Sequence, residues 1–195
     1  MTIEEIKNTL KNYTVGIAGA GGLGSNCAVA LARVGIGKLI IVDFDIVSES
    51  NLNRQYFFRD QLGVKKVFAV KENINRIDPK VQVDAHDIKL NETNFVSIYK
   101  YCDVIVEAFD LAEMKKMLIE TCISELPDKP VVLGLGMAGF GDNNSIKCRK
   151  TENIYICGDE KTEISDQYPP LAPRVGMVAN MQANTVLEIL LNKPN

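Results

Sequence analysis

The chain has 195 residues, 46% hydrophobic and 24% charged, the balance expected of a soluble globular protein. Its formal net charge of −3 gives no reason to expect nucleic acid or a membrane surface as a partner. No apolar run approaches the roughly 20 residues of a membrane-spanning helix, and the polar residues 1–12 are unlike a signal peptide.

Strands and helices are predicted to alternate along the first part of the chain. Residues 14–18 form a short apolar strand, and helically spaced apolar residues from Leu23 to Val34 predict a helix that ends at Gly35. Residues 38–42 are continuously apolar and β-branched, as in a buried strand. Residues 44–63 are polar without a period, which predicts a long loop with short helical turns.

The same alternation continues to the end of the chain. Further helices are predicted over residues 64–77, 91–101 (with Asn91 as cap), 111–126 and 173–190, where Pro173 opens the last. Further strands are predicted at 81–85, 104–106 and 131–133, followed by an antiparallel hairpin of 145–149 with 153–157 and a mobile loop over 158–172. This order predicts one α/β domain over residues 1–195. We expect a doubly wound, Rossmann-like, mostly parallel sheet with antiparallel strands near the C-terminus.

A glycine-rich turn between the first strand and helix carries Gly19, Gly21, Gly22 and Gly24. Glycines let backbone amides approach a phosphate closely, and a helix N-terminus offers further free N–H groups. Asp43 ends the second strand, where a carboxylate can accept hydrogen bonds from ribose hydroxyls. These features predict a nucleotide site but leave ATP, NAD and FAD open.

The next polar residues favour ATP. Arg54 and Lys66 are predicted to bring two cations to the phosphates, where Asn51 can add a hydrogen bond. A nicotinamide cofactor needs no such pair, whereas a triphosphate losing pyrophosphate does, because negative charge shifts onto the leaving group. Asp110, after the strand 104–106, can hold Mg²⁺ against ATP phosphates or cap the following helix.

The glycine turn, the segment VDFDIVSESNLNRQ (residues 42–55), Lys66 and Asp110 together resemble the ThiF/MoeB/HesA adenylyltransferases, relatives of the ubiquitin-activating enzymes. The pattern is most similar to short, divergent ThiF-type proteins of thiamine biosynthesis. The resemblance implies ATP-dependent adenylation of the C-terminal glycine carboxylate of a small ubiquitin-like sulfur carrier with a diglycine tail. It also implies ATP and Mg²⁺ as cofactors, and a homodimer.

The resemblance assigns roles to individual positions. The catalytic residues would be Arg54, Lys66 and Asp110, the last beside Mg²⁺. The cofactor-binding residues would be Gly19, Gly21, Gly22, Gly24, Asp43, Asn51, Arg54, Gln55 and Lys66. Three departures stand out: zinc-binding CxxC pairs are absent, no arginine precedes the first strand, and the spacing to Lys66 is one residue short, with Lys65 beside it.

The five cysteines, an odd number without regular spacing, indicate a reducing cytoplasm, and the absence of CxxC pairs predicts no zinc. Cys157 is a candidate to capture an activated carrier, although a strand-end cysteine without chemistry is the favoured interpretation. Cys27, Cys102 and Cys122 are predicted to lie in the core. His86 ends a strand near the ligand side, where a local or solvated role is favoured. The glycine-rich residues 134–141 are predicted to form either a groove for the carrier tail or a flexible turn.

Two other functions stay open on the sequence. An NAD-dependent oxidoreductase shares the glycine turn and Asp43, but it does not explain Asn51, Arg54 and Lys66 together. A non-catalytic nucleotide-binding protein of a sulfur-transfer pathway would carry the same motifs without the reaction.

Overall fold

A computed structural model describes residues 1–192, so the last three residues of the predicted domain lie outside the described part. Its strands are β1 (Thr14–Ala18), β2 (Lys38–Val42), β3 (Gln82–His86), β4 (Val104–Glu107), β5 (Val131–Gly134), β6 (Lys147–Thr151) and β7 (Ile154–Gly158). Its α-helices are α1 (Ile3–Leu10), α2 (Gly22–Arg33), α3 (Lys66–Ile77), α4 (Glu92–Tyr99), α5 (Ala112–Glu125) and α6 (Ala172–Leu191).

The strands form one seven-stranded sheet in the order β3-β2-β1-β4-β5-β7-β6. Within residues 1–192, β6 and β7 are the only antiparallel neighbours, and β7 itself runs parallel to β5. The predicted α/β fold with a terminal hairpin is confirmed. The order reverses at β1, because β2 and β3 lie on one side of it and β4 on the other, and such a reversal opens a crevice for ligands.

Most predicted elements match the structure. The loop over residues 44–63 contains two 3₁₀ turns, Glu49–Asn51 and Arg59–Gln61, as predicted. Asn91 caps α4 by accepting a hydrogen bond from the Asn94 backbone N–H. Helix α1 was not predicted, although Thr2 and Glu5 form a capping box whose spacing is visible in the sequence.

The two faces of the sheet carry separate apolar clusters. Helices α2, α3 and α6 cover one face, where Ile17 and Cys27 are buried, and α4 and α5 cover the other, where Cys102 and Cys122 are buried. The three predicted core cysteines are therefore confirmed. Gly16 on β1 allows Tyr99 of α4 to pack directly on the strand, since an added Cβ would lie 2.4 Å from the tyrosine ring.

In the described part of the chain, none of the helices has both the length and the apolar character that a bilayer crossing requires.

Removing the Tyr99 hydroxyl should destabilise the fold measurably. That hydroxyl is buried and donates to the Ile17 carbonyl oxygen at 2.9 Å. We expect Tyr99→Phe to lower the free energy of unfolding by about 1 kcal/mol, the usual net value of such a bond. Urea unfolding measures this, with Tyr101→Phe as the matched control because the Tyr101 side chain is 80% exposed. Equal stability of the two variants would contradict a stabilising role for this hydrogen bond.

Candidate functional site

A cavity of about 600 Å³ opens where the parallel strands end at their carboxyl termini. Its walls come from the glycine turn, the residues after β2, the start of α3 and the ends of β4 and β5. A concave site of this size at the reversal of strand order is the usual ligand position in such sheets.

The glycine turn forms the floor of one part of the cavity. Gly19 has a φ of +102°, and Gly19, Gly21 and Gly22 line the cavity. Gly24 lies behind them, where an added Cβ would stand 1.9 Å from the Gly19 carbonyl oxygen. Because α2 begins at Gly22, the first N–H groups of the helix point toward this floor without intrahelical acceptors, as phosphate binding requires.

Asp43 braces the glycine turn. One carboxylate oxygen accepts from the Ala20 N–H at 2.7 Å, and the other accepts from the Asp45 N–H at 2.8 Å. Asp43 also lines the cavity. Since each carboxylate oxygen has a second lone pair, Asp43 can hold the turn and still accept a hydrogen bond from a ribose hydroxyl.

The loop after β2 contributes Arg54 and Gln55 to the cavity wall. Arg54 Nη1 donates to the Ser50 carbonyl at 3.0 Å and to Asn53 Oδ1 at 2.7 Å. Gln55 is buried, and its Oε1 has no hydrogen-bond partner within residues 1–192. A buried acceptor without a donor on the wall of a cavity fits a bound ligand that supplies one.

Asn51 is placed differently from the expectation. Its Oδ1 accepts from the Ser48 backbone N–H at 3.0 Å and so caps the first 3₁₀ turn. In the part of the chain that is described, Asn51 is not among the residues lining the cavity. Its assignment as a phosphate contact therefore stays a prediction.

Of the two neighbouring lysines, Lys66 is the one that reaches the cavity. Lys66 is 6% exposed, lines the cavity wall, and donates to Asp45 Oδ2 at 2.7 Å. Lys65 instead donates to the Phe44 carbonyl at 2.8 Å and pairs with Asp87 at 3.1 Å. The geometry thus agrees with the choice of Lys66 despite the short spacing.

Asp110 lies exposed on the cavity wall just after β4. Helix α5 begins at Ala112 with Leu111 at its cap position, so the alternative of Asp110 as the helix cap is wrong. Mg²⁺ usually takes one or two carboxylates together with substrate phosphates, and a single carboxylate here fits that pattern.

Sequence reasoning missed a charged pair beside Asp110. Glu107 is 1% exposed at the end of β4, and each carboxylate oxygen accepts from Lys115 Nζ at 2.8 Å. Burial raises the pKa of Glu107, while Lys115 and the Phe109 N–H oppose that rise. Lys115 also donates to the Gly134 carbonyl at 3.1 Å and lines the cavity. In the sequence, the one sign of this pair is the glutamate that directly follows the apolar run 104–106.

A second buried ion pair, Asp159 with Arg174, connects the loops that follow β5 and β7 to α6. Burial disfavours the charged form of Asp159, but hydrogen bonds from the Thr162 and Lys161 N–H groups, from the Thr162 hydroxyl and from Arg174 lower its pKa to about 2. Arg174, on α6, also donates to the Gly141 carbonyl. Residues 158–172, predicted as a mobile loop, are therefore anchored to α6 and to residues 134–141.

Residues 134–141 form a second wall of the cavity. Gly134 and Gly136 line it, and Gly136 has a φ of +80° with an added Cβ falling 2.0 Å from Asp159 Oδ1. The Gly139 N–H donates to the Pro169 carbonyl at 3.0 Å. This fixed backbone course agrees with the interpretation as a groove more than with a flexible turn.

Cys157 and His86 both have local partners. Burial raises the pKa of Cys157 to about 12, and its Sγ lies 3.6 Å from Thr185 Oγ1. A thiol in this state is a poor nucleophile, as the favoured interpretation required. His86 Nε2 lies 3.1 Å from Asp84 Oδ1 on the edge strand β3.

The profile described as the ThiF family matches residues 2–195. The chain is 31% identical over 194 residues to adenylyltransferase and sulfurtransferase MOCS3 of Dictyostelium discoideum, covering 94% of this chain and 44% of that protein. It is 30% identical over 189 residues to adenylyltransferase and sulfurtransferase UBA4 of Candida albicans, covering 93% of this chain and 42% of that protein. The chain therefore spans less than half the length of these relatives.

A solved structure shares the fold. The E. coli tRNA N6-threonylcarbamoyladenosine dehydratase TcdA, in complex with ATP, superposes with a TM-score of 0.86 and 21% identity. The match covers 96% of this chain and 89% of that protein. At this identity the likeness shows the arrangement of strands and helices alone.

Adding one methyl group at Gly24 should weaken nucleotide binding. Because its Cβ would meet the Gly19 carbonyl, Gly24→Ala must open the turn, and we expect the dissociation constant for ATP to rise at least about tenfold. Calorimetric titration measures this. Gly176→Ala is the matched control, since its Cβ meets no atom within 4 Å and alanine favours a helix. Unchanged ATP affinity in Gly24→Ala would contradict the role of the turn.

The Asp159–Arg174 pair should make stability depend on acid pH. The pKa of Asp159 falls from an ordinary 3.8 to about 2 on folding, so its stabilisation is present above pH 4 and lost as the pH falls toward 2. That shift corresponds to about 2 kcal/mol. Asp159→Asn, which leaves Arg174 buried without a counter-charge, should lose about 3 kcal/mol at pH 7 and lack this acid dependence.

Urea unfolding between pH 7 and pH 2 tests this dependence. Asp166→Asn, an exposed aspartate of the same loop, serves as the control and should behave like the native chain. If Asp159→Asn retained native stability at pH 7, the pair would not anchor the loop.

Proposed function

The chain belongs to the ThiF family, and we propose that it catalyses ATP-dependent adenylation of the C-terminal glycine carboxylate of a small ubiquitin-like sulfur carrier protein. The observation that carries the proposal is one cavity lined by the glycine turn, by Arg54 and Lys66, and by Asp110. The relatives' names as adenylyltransferases and sulfurtransferases support the same class of reaction.

The charges in the cavity favour ATP over a nicotinamide cofactor. Adenylation drives negative charge onto the departing pyrophosphate, and cations placed beforehand stabilise that charge. Arg54 and Lys66 supply two such cations on the wall beside the glycine turn. The complex of TcdA with ATP supports the same ligand for a chain of this fold.

The proposed reaction needs no general base. The carrier's carboxylate is already ionised, attacks the α-phosphorus of ATP in line, and displaces pyrophosphate to leave an acyl-adenylate. The single histidine, His86, pairs with Asp84 on an edge strand, which agrees with this requirement. Mg²⁺, when bound, would screen the phosphate charges, and Asp110 is the carboxylate placed to hold it.

We extend the proposal on the strength of the family resemblance. The carrier would be ThiS-like and the pathway thiamine thiazole biosynthesis, with residues 1–195 acting as one nucleotide-binding domain in a homodimer. The odd number and irregular spacing of the five cysteines support a reducing compartment such as the cytoplasm.

Carrier-dependent exchange of pyrophosphate into ATP tests the proposed reaction, with a panel of carriers that end in Gly-Gly. Exchange with one carrier supports adenylation and excludes a non-catalytic nucleotide-binding protein. The absence of exchange with every carrier, or tight binding of NAD(H) in place of ATP, would overturn the proposal.

Arg54→Ala and Asp110→Ala should each lower the exchange rate by about 100-fold, because each removes a charge beside the reacting phosphates. Both variants should keep the native unfolding midpoint, since neither side chain is buried. The matched controls are Arg59→Ala, whose side chain is 78% exposed, and Asp128→Ala, exposed before β5 at the opposite edge of the sheet. Full activity in either test variant would refute its assigned role.

A further inference from the structure

The cavity extends beyond the part that the glycine turn and its two cations serve. Past the ends of β4 and β5 it continues between Asp110, the backbone at Gly134 and Gly136, and the loop residues Glu163 and Ile164. Apart from Lys115, this second part is lined by backbone, apolar groups and carboxylates, so it has the character of a site for a second substrate rather than for more phosphate.

One cation lies in this second part. Of the residues 1–192 that line the cavity, those with a positive charge are Arg54, Lys66 and Lys115. The first two belong to the phosphate side. Lys115 lies in the second part of the cavity. It is on α5, five residues after Asp110, and its side chain is 19% exposed.

The surroundings of Lys115 fix its ammonium group on the cavity wall. Behind it, Glu107 is 1% exposed and contacts Nζ through both carboxylate oxygens at 2.8 Å. The buried carboxylate holds the lysine from one side, while the partly exposed side chain lines the cavity.

Lys115 also contacts the start of the glycine-rich wall, residues 134–141. Its Nζ donates to the Gly134 carbonyl at 3.1 Å. At Gly134 an added Cβ would stand 2.3 Å from Leu23 Cδ1, so the backbone packs too closely on α2 to admit a side chain. A narrow tail of small residues that follows this wall would end beside Lys115.

A carboxylate that approaches the α-phosphorus of ATP must come close to other anions, namely the triphosphate and Asp110. At close range in a partly buried site this repulsion opposes the attack unless a cation offsets it. We propose that Lys115 binds the C-terminal carboxylate of the carrier tail and holds it for attack. This inference rests on the proposed adenylation and assigns the residue that binds its second substrate.

The ammonium can take a third carboxylate oxygen without losing Glu107. Lysine has three N–H donors. The two oxygens of Glu107 can share fewer of these donors than they use now, which leaves a donor for another carboxylate. The contact to Gly134 is the longest of the three that Lys115 makes, and it is the one that an arriving carboxylate would replace.

The test compares a ThiS-type carrier ending in Gly-Gly with the same carrier made by semisynthesis as its C-terminal amide. Binding is measured by calorimetry in the presence of α,β-methylene-ATP, which cannot release pyrophosphate. The native protein should bind the free acid about 10- to 100-fold more tightly than the amide, the value of one charged hydrogen bond. Lys115→Met should lose this preference, and Lys115→Arg should keep most of it.

Lys116→Met is the matched control, because Lys116 is the adjacent residue, 74% exposed, and pairs with Glu120 on the outer face of α5. It should keep the native preference. The ATP affinity of Lys115→Met should stay within about twofold of native, which separates tail binding from phosphate binding.

Lys115→Met leaves Glu107 buried without a counter-charge and can lower stability. The double variant Glu107→Gln with Lys115→Met replaces the ion pair with neutral groups of similar size and gives the same readout in a folded protein. Loss of the acid-over-amide preference in the double variant supports the proposal. Its retention there, or its absence in the native protein, overturns the role of Lys115. Failure of the proposed function is distinguishable, because carrier-dependent exchange would then be missing in the native protein.

Discussion

Parallel pairing of β1 with β2 on one side and β4 on the other is the constraint on which the candidate site depends. Ala18, the last residue of β1, pairs with Val42 and with Glu107, so three strands end at one level. The chain must therefore leave the sheet three times at the same edge. The glycine turn, the Asp43 segment and Asp110 are brought together by this register, although they are far apart in sequence.

Two buried ion pairs connect the loops at this edge of the sheet and hold the walls of the cavity in place. Glu107 with Lys115 joins the end of β4 to α5 and to β5, and Asp159 with Arg174 joins the residue after β7 to α6. Burying charges carries a desolvation cost, which each pair offsets with additional hydrogen bonds to backbone groups. Those backbone bonds tie the loops that no strand pairing holds.

The charges divide the cavity into two functional parts. Arg54 and Lys66 stand with the glycine turn, where helix N–H groups already favour an anion. Lys115 lines the same cavity from α5. The proposed reaction joins a carboxylate to a phosphate and so needs both anions in one place, and these cations would offset the repulsion between them without a general base or a reactive thiol. The buried Cys157, a poor nucleophile, agrees with a reaction that uses no thiol.

The sequence by itself determined the features that repeat over a few residues: the apolar runs of the strands, the helical spacing of α2 and α6, and the glycine turn with an acidic residue one strand later. Tertiary structure decided which of Lys65 and Lys66 reaches the cavity, that β7 lies parallel to β5, and that Glu107 meets Lys115. Local periodicity records whether a side chain is buried. It does not record which distant backbone or charge the side chain meets, because that depends on the sheet register and on loops whose course long-range pairs set.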